Sequence, residues 1–477
     1  MIFCTIKMAY RVPRDQFDRD AQIKVVKDLT IFENKDYSMR LKATDTKQLK
    51  VFTKTESGMI NLPYIYASIF MKTPIHKLTA DQKMPIDIDF TGKIKEKQEE
   101  PVAKAVDFLR RFGTVTLEIR PGFGKTVLSC YLASVYKEKV LVLFSFKSLN
   151  AQWKSTFYKV TTCQNVAVVG EDSVQKVRNA DVVICMNTRT DKLPDKSVYK
   201  FIIIDECHTW LTQIRVENLL EFQPRYIVAA SATLEANGLE RAMEKFVGPH
   251  RVEVDVEDLV KVTRYNTGIN TPLTYTTRGA DNTDLRRKLM RNHTRNLMIL
   301  DIVKNLTGKK ILILSWRATH VQILEKIFEK ENIPVETFFG KKKKHKDAKI
   351  LIGTIQKIGT GYDQASQVED FNGTNIDTVL LVSSVKKVRL FVQIFGRAFR
   401  TEDVPHLIYM VDSDKVSRGH WYSCNSWLKE HDVELITEDS KIGAEEDPEE
   451  EELQTDGSDQ EQSDTEIPDI EDLSLDK

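Results

Sequence analysis

Short apolar runs without a polar break, spaced between helical patterns, constrain this chain more than any other feature. Val140–Phe144 and Phe201–Ile204 are apolar at every position, so each predicts a strand covered on both faces. Val115–Ile119, Asp181–Cys185 and Tyr226–Ala230 repeat the pattern, and Lys125–Tyr136 carries apolar residues at helical spacing. Strands alternating with helices predict a parallel sheet between two helical layers. The same grammar restarts near residue 310, with a strand at Lys310–Ser315, a helix at His320–Lys330, and strands at Lys349–Ile352, Thr378–Ser383 and Leu407–Val411. The expected fold is α/β, with two tandem parallel-sheet lobes.

The 477 residues leave room for smaller parts around those lobes. Residues 1–92 carry no assignable motif and read as a small N-terminal accessory domain. Residues 93–255 and 286–437 are the two lobes. Residues 256–285, with turn signals such as Asn266-Thr267-Gly268, read as a connector. Residues 438–477 hold 18 Asp and Glu against 2 Lys and almost no large apolar groups, so an acidic disordered tail is expected.

A formal net charge of zero hides this asymmetry, because the rest of the chain holds 68 basic and 52 acidic residues. A basic body suggests a polyanionic partner, and the tail can mask that surface or dock a basic protein. Six cysteines form no C-x-x-C pair, which leaves zinc and iron–sulfur sites without support. Free buried thiols in an intracellular, reducing compartment are expected. No apolar run approaches the roughly 18 residues of a membrane span, and the N-terminus lacks the marks of a signal peptide.

Pro121-Gly122-Phe123-Gly124-Lys125-Thr126 follows a strand and opens a helix, the context in which backbone N–H groups cradle phosphate. Lys125 can reach β- and γ-phosphates and Thr126 can bind Mg²⁺. The alternative for such a short run is an ordinary turn. Asp205-Glu206 stands at the C-terminal end of an apolar strand, where open α/β sheets bind ligands. Asp205 can hold Mg²⁺ through water, and Glu206 can polarise an attacking water. Ser231-Ala232-Thr233 follows the next strand, with hydroxyls able to sense a γ-phosphate or simply to cap a helix.

In the second lobe, Gln393-Ile394-Phe395-Gly396-Arg397-Ala398-Phe399-Arg400 puts two arginines three apart. Pointed at a cleft, they would stabilise charge on a transferred phosphoryl group. Gly353-Thr354 after a strand, and Phe146-Lys147-Ser148-Leu149-Asn150-Ala151-Gln152-Trp153 in the first lobe, suit nucleic-acid phosphates. Core packing is the preferred reading of Trp153. Lys341–Lys346 is either a solvated loop or a phosphate-tracking one.

Taken in order, these segments and Lys310–Arg317 resemble the superfamily 2 helicases from about residue 94 to 412. Within that superfamily the chain looks most like the poxvirus-type transcript-release DNA helicases of large DNA viruses. The resemblance implies two RecA-like lobes with ATP and Mg²⁺ as cofactors. It implies DNA-stimulated ATP hydrolysis with 3′-to-5′ unwinding of duplex DNA, and a role in viral transcription or DNA metabolism. Carried over onto this sequence, it places Lys125, Glu206, Gln393, Arg397 and Arg400 in catalysis, and Gln98 and residues 121–126 at the nucleotide. Thr126 and Asp205 fall at the metal, Ser231 and Thr233 in coupling, and Lys147, Gln152, Gly353 and Thr354 at the nucleic acid. Three departures stand out: Ile119 at the first glycine of the phosphate-loop pattern, Arg120 where small residues or proline are usual, and Cys207 where Ser or Ala is common.

The partners implied are DNA, single-stranded and duplex, with RNA as the alternative, and transcription machinery through the N-terminal domain or the tail. For a viral protein the location is host cytoplasm or virion. An RNA helicase, or a translocase that does not separate strands, fits the same motifs. A silent nucleic-acid-binding scaffold does not fit an intact Lys125, Thr126, Asp205, Glu206 and Arg400.

Overall fold

The computed structural model describes residues 9–34, 48–54, 58–72, 83–147, 149–232, 234, 238–254, 260–277, 279–358, 362, 364–401, 404–431 and 433–442, without the side chains of Ala9, Arg11, Ala365, Ser366 and Arg400. Two seven-stranded sheets, parallel throughout, form two RecA-like lobes. The first sheet runs in the spatial order Arg251–Val254, Thr114–Ile119, Tyr226–Ser231, Phe201–Asp205, Val140–Phe144, Val182–Met186 and Val166–Val168. Its strands Phe201–Asp205 and Val140–Phe144 are buried at every position, as their composition requires.

Alternation along those strands divides the core in two. Val140, Val142, Phe144, Phe201 and Ile203 face the helices Glu96–Phe112, Lys125–Tyr136 and Leu149–Val160, meeting Val102, Leu109, Leu132 and Phe157. Leu141, Leu143, Ile202 and Ile204 belong to the opposite cluster, with Trp210, Val216, Met243 and Phe246.

The N-terminal segment completes that second cluster. Val12, Val25, Leu29, Leu49, Ile60, Leu62 and Tyr66 are buried within it. Strands Ala9–Pro13, Met59–Pro63 and Thr53–Lys54 make a small antiparallel sheet, and helix Tyr64–Phe70 packs on helix Glu240–Val247. The Gln213 side chain clasps Lys50, accepting from its N–H at 2.8 Å and donating to its carbonyl at 3.1 Å. The segment read as an accessory domain therefore shares the first lobe's core.

The second sheet runs Glu336–Phe338, Ile350–Thr354, Ile311–Ser315, Thr378–Leu381, His406–Val411, Lys261–Asn266 and Leu435–Asp439. One of these strands lies outside the bounds expected for the lobe, and another crosses them. Lys261–Asn266, within the stretch read as a connector, buries Val262 and Tyr265 and pairs on both edges. Its mixed composition hides a strand that only the return of the chain covers. Leu435–Asp439 takes the first two residues of the acidic tail into the sheet edge, where Asn266 Nδ2 donates to Asp439 Oδ1 at 2.7 Å. Residues 443–477, the bulk of that tail, lie outside the described residues. A buried pair, Arg295 to Asp412 at 2.8 and 3.0 Å, ties helix His293–Asn305 to the end of a sheet strand. Cys130, Cys163, Cys185, Cys207 and Cys424 are free and buried. No helix among the described residues is long and apolar enough to cross a membrane.

Candidate active site

The phosphate loop leaves strand Thr114–Ile119 and enters helix Lys125–Tyr136. Gly122 and Gly124 hold φ at +79° and +110°, a region costly for residues with a Cβ. The loop is braced from behind by Gln98, which is buried. Its Nε2 donates to the Phe123 carbonyl at 2.5 Å, and its Oε1 accepts from the Lys95 N–H at 3.0 Å. A Cβ at position 124 would stand 2.6 Å from that Nε2. Gln98, expected at the nucleotide, thus also holds the loop's shape. Lys125 Nζ donates to the Ile119 carbonyl at 2.8 Å. Burial lowers its pKa, and the charges of Glu206 and Asp205 oppose that shift.

Asp205 closes strand Phe201–Asp205, and Glu206 turns the chain through a left-handed conformation at φ 49°. Asp205 Oδ1 accepts the Glu206 N–H, and Oδ2 accepts the indole N–H of Trp153, both at 3.0 Å. Trp153 is 1% exposed, so it is core as expected, yet its polar edge is tied to the site. Burial raises the pKa of both carboxyls, while Lys125 pulls them down. Glu206 Oε2 is buried without a hydrogen-bond partner among the described residues. A buried acceptor left open this way is fitted to a donor brought by a ligand or its water.

Strand Tyr226–Ser231 runs between those of the phosphate loop and Asp205, which sets fully buried Ser231 among them. His208 Nδ1 lies 2.8 Å from Ser231 Oγ and 3.4 Å from Glu206 Oε2. Burial, with the charges of Arg389 and Lys125, pushes the imidazole pKa down to about 2. His208 is therefore neutral, a hydrogen-bonding link between two motifs rather than an ion-pair partner. Thr233 lies outside the described residues.

The second lobe reaches into this cleft. Helix Val388–Phe395 carries Gln393, half-buried, and is followed by Gly396 and Arg397. A Cβ at Gly396 would sit 2.1 Å from the Cβ of Pro121, so the arginine-bearing turn lies directly against the phosphate loop. Arg397 Nη1 donates to the Tyr362 carbonyl at 2.8 Å, and its charge acts on Lys125 and Glu206. The Arg400 side chain lies outside the described residues. Sequence reasoning overlooked Arg389, whose charge acts on Glu206, Cys207 and His208. Its spacing four residues before Gln393, on one helical face, was the available signal.

The expected nucleic-acid residues divide. Lys147, just past strand Val140–Phe144, is exposed, and Gln152, in helix Leu149–Val160, is half-buried. Gly353 is buried inside strand Ile350–Thr354, paired with Leu314 and Phe338, and a Cβ there would meet Ile358 Cδ1 at 2.2 Å. Its glycine serves packing, and Thr354 beside it is only 6% exposed. The basic run is partly structural. Lys342 pairs with Glu336, and buried His345 holds the Tyr362 hydroxyl at 2.9 Å through Nε2.

The open loop, the desolvated lysine and the unfilled carboxylate oxygen fit a nucleoside triphosphate. Asp205, whose charge acts on Lys125 next to Thr126 in the chain, fits the divalent cation that such a ligand carries.

Comparison with known proteins agrees with this geometry. Residues 91–236 match the family described as type III restriction enzyme, res subunit. Putative helicase 161L of Invertebrate iridescent virus 6 is 28% identical over 377 residues, spanning 72% of this chain and 83% of that protein. Transcript termination protein A18 of Yaba-like disease virus is 24% identical over 331 residues, spanning 60% and 64%. The fold matches S. cerevisiae Dbp5 bound to RNA and ADP BeF3, with a TM-score of 0.51 at 17% identity over 71% of this chain and 89% of that one. The chain is thus similar to the superfamily 2 helicases, ATP-hydrolysing enzymes with two RecA-like lobes, and the relatives it matches include putative helicases and transcript termination proteins of large DNA viruses.

Proposed function

We propose that this chain is a DNA-stimulated ATPase that moves along DNA and separates its strands during viral transcription or DNA metabolism. The observation that carries this reading is the placement of Arg397, a second-lobe cation whose charge reaches Lys125 and Glu206 of the first. A nucleotide site divided between lobes makes hydrolysis depend on closure, and reopening then shifts one lobe along the track.

Residues 121–126 would hold the phosphates, with Lys125 exchanging the Ile119 carbonyl for a phosphate oxygen. Thr126 and Asp205 would hold Mg²⁺, which supplies charge neutralisation when bound. Glu206, its basicity raised by burial, accepts the proton of the attacking water. Arg397 and Arg400 stabilise charge on the transferred group. Lys147 and Gln152 grip the nucleic-acid backbone. The basic body supports a nucleic-acid track, and the transcript termination relatives support a role in transcription.

The test measures ATP turnover with single-stranded DNA, duplex DNA and RNA, followed by displacement from 3′- and 5′-tailed duplexes. DNA stimulation with opening of the 3′-tailed substrate is expected, and Lys125→Ala and Glu206→Gln should abolish turnover. Stimulation by RNA alone would replace the track, and full turnover in both variants would overturn the site.

A further inference from the structure

Arg120 precedes the phosphate loop, and the nucleotide chemistry described above does not use it. It is 7% exposed, and its guanidinium is in cation–π range of two aromatic rings. The Phe123 centroid, in its own loop, is 5.5 Å away, and the Phe399 centroid, in the other lobe, is 5.2 Å away. Phe399 stands one residue before Arg400 and two after Arg397, and its ring packs on Phe395 at 4.7 Å, at the end of helix Val388–Phe395.

The backbones around this bracket are already in contact. A Cβ at Gly122 would lie 3.0 Å from Phe399 Cβ, and one at Gly396 would overlap Pro121. A planar, weakly hydrated guanidinium suits a site between rings, and its attraction to them strengthens once water is excluded.

We infer that Arg120 is a positioning residue that docks the turn 396–400 onto the phosphate loop and so sets Arg397 in the cleft. The contact needs no nucleotide, so it favours the closed arrangement before ATP arrives. Its consequence for turnover rests on the ATPase reading above, but its effect on closure does not.

The experiment uses the full chain, with fluorophores at Ile214→Cys and Tyr422→Cys, exposed positions on the first and second lobes. Single-molecule energy transfer is recorded without nucleotide. Arg120→Met and Phe399→Leu should each lower the closed-to-open ratio by about tenfold, while Phe399→Tyr, which keeps the ring face, should preserve it. The double variant should fall no further than the worse single one. In the same proteins kcat should fall by about tenfold while the KM for ATP stays nearly constant, since nucleotide binds mainly to the first lobe. An unchanged closed population in both single variants overturns the inference, as do independent, multiplying losses in the double variant. A wild-type protein without ATPase activity would instead refute the proposed function, while the energy-transfer result would still decide this contact.

Discussion

The indole N–H of Trp153 donates to Asp205 Oδ2 across 3.0 Å, joining a helix at the expected nucleic-acid face to the carboxylate expected to hold metal. Neighbours that orient a metal-binding carboxylate commonly influence affinity or activity by about 10–100-fold. Trp153→Phe keeps most of the buried ring and removes the donor. Its ATPase should need about tenfold more Mg²⁺ for half-maximal rate, with little change in melting temperature. An unaltered Mg²⁺ titration would free Asp205 from this dependence.

Gly396→Ala tests the seam by geometry alone. The added methyl overlaps Pro121, and the turn carrying Arg397 must back away. Turnover should drop steeply while nucleotide binding persists. Arg397→Ala should show the same pattern, with a loss on the order of 10³ or more, as for arginines that stabilise a transferring phosphoryl group. Stopped-flow turnover paired with equilibrium nucleotide binding separates the two effects. A normal rate in Arg397→Ala removes it from the site.

Buried His320 predicts acid sensitivity. It bonds Ser315 Oγ through Nδ1 and Asn296 Oδ1 through Nε2, at 2.8 and 3.0 Å. Burial, with the Arg295 charge, pushes its pKa down to about 3. The unfolded chain takes up a proton near pH 6.5 and the folded one does not. Stability is therefore fully present above that pH and falls as pH drops toward 3. From pH 7.5 to 5.0 this group alone should remove about 2 kcal/mol. Urea midpoints at the two pH values, for wild type and His320→Gln, check the sign: the variant should lose less.

Truncation after Ile442 tests charge masking without disturbing the sheet edge. Residues 443–477 hold 16 acidic residues and one Lys, whereas Leu435–Asp439 is paired structure. Removing the tail should tighten DNA binding at low salt and bring the two curves together as salt rises. Equal affinity at every salt concentration would reject self-masking and leave a basic protein as the tail's partner.

Much of the fold was legible because parallel strands buried on both faces leave an unmistakable trace. Val140–Phe144 begins and ends where its apolar run does. Lys261–Asn266 left no such trace, because its neighbours in the sheet come from residues 406–411 and 435–439, far along the chain. The described residues between 9 and 70 were opaque for the same reason: their buried apolar side chains meet partners near residues 210 and 246. At the site, glycines and charged pairs announced the phosphate loop and the Asp205-Glu206 turn. The packing demand on Gly353 was invisible, because a glycine required for packing looks identical, in a string of letters, to one required for a ligand. Arg389 and Arg120 went unassigned because their roles depend on how one lobe sits against the other.

The shared core beneath the first lobe has a practical side. Anyone trimming this chain to its motor portion at residue 93 would strip the lid from Trp210, Met243 and Phe246. The shortened protein would present a greasy face to water and invite clumping. Its failure in an assay would then say nothing about the engine, only about the missing cover.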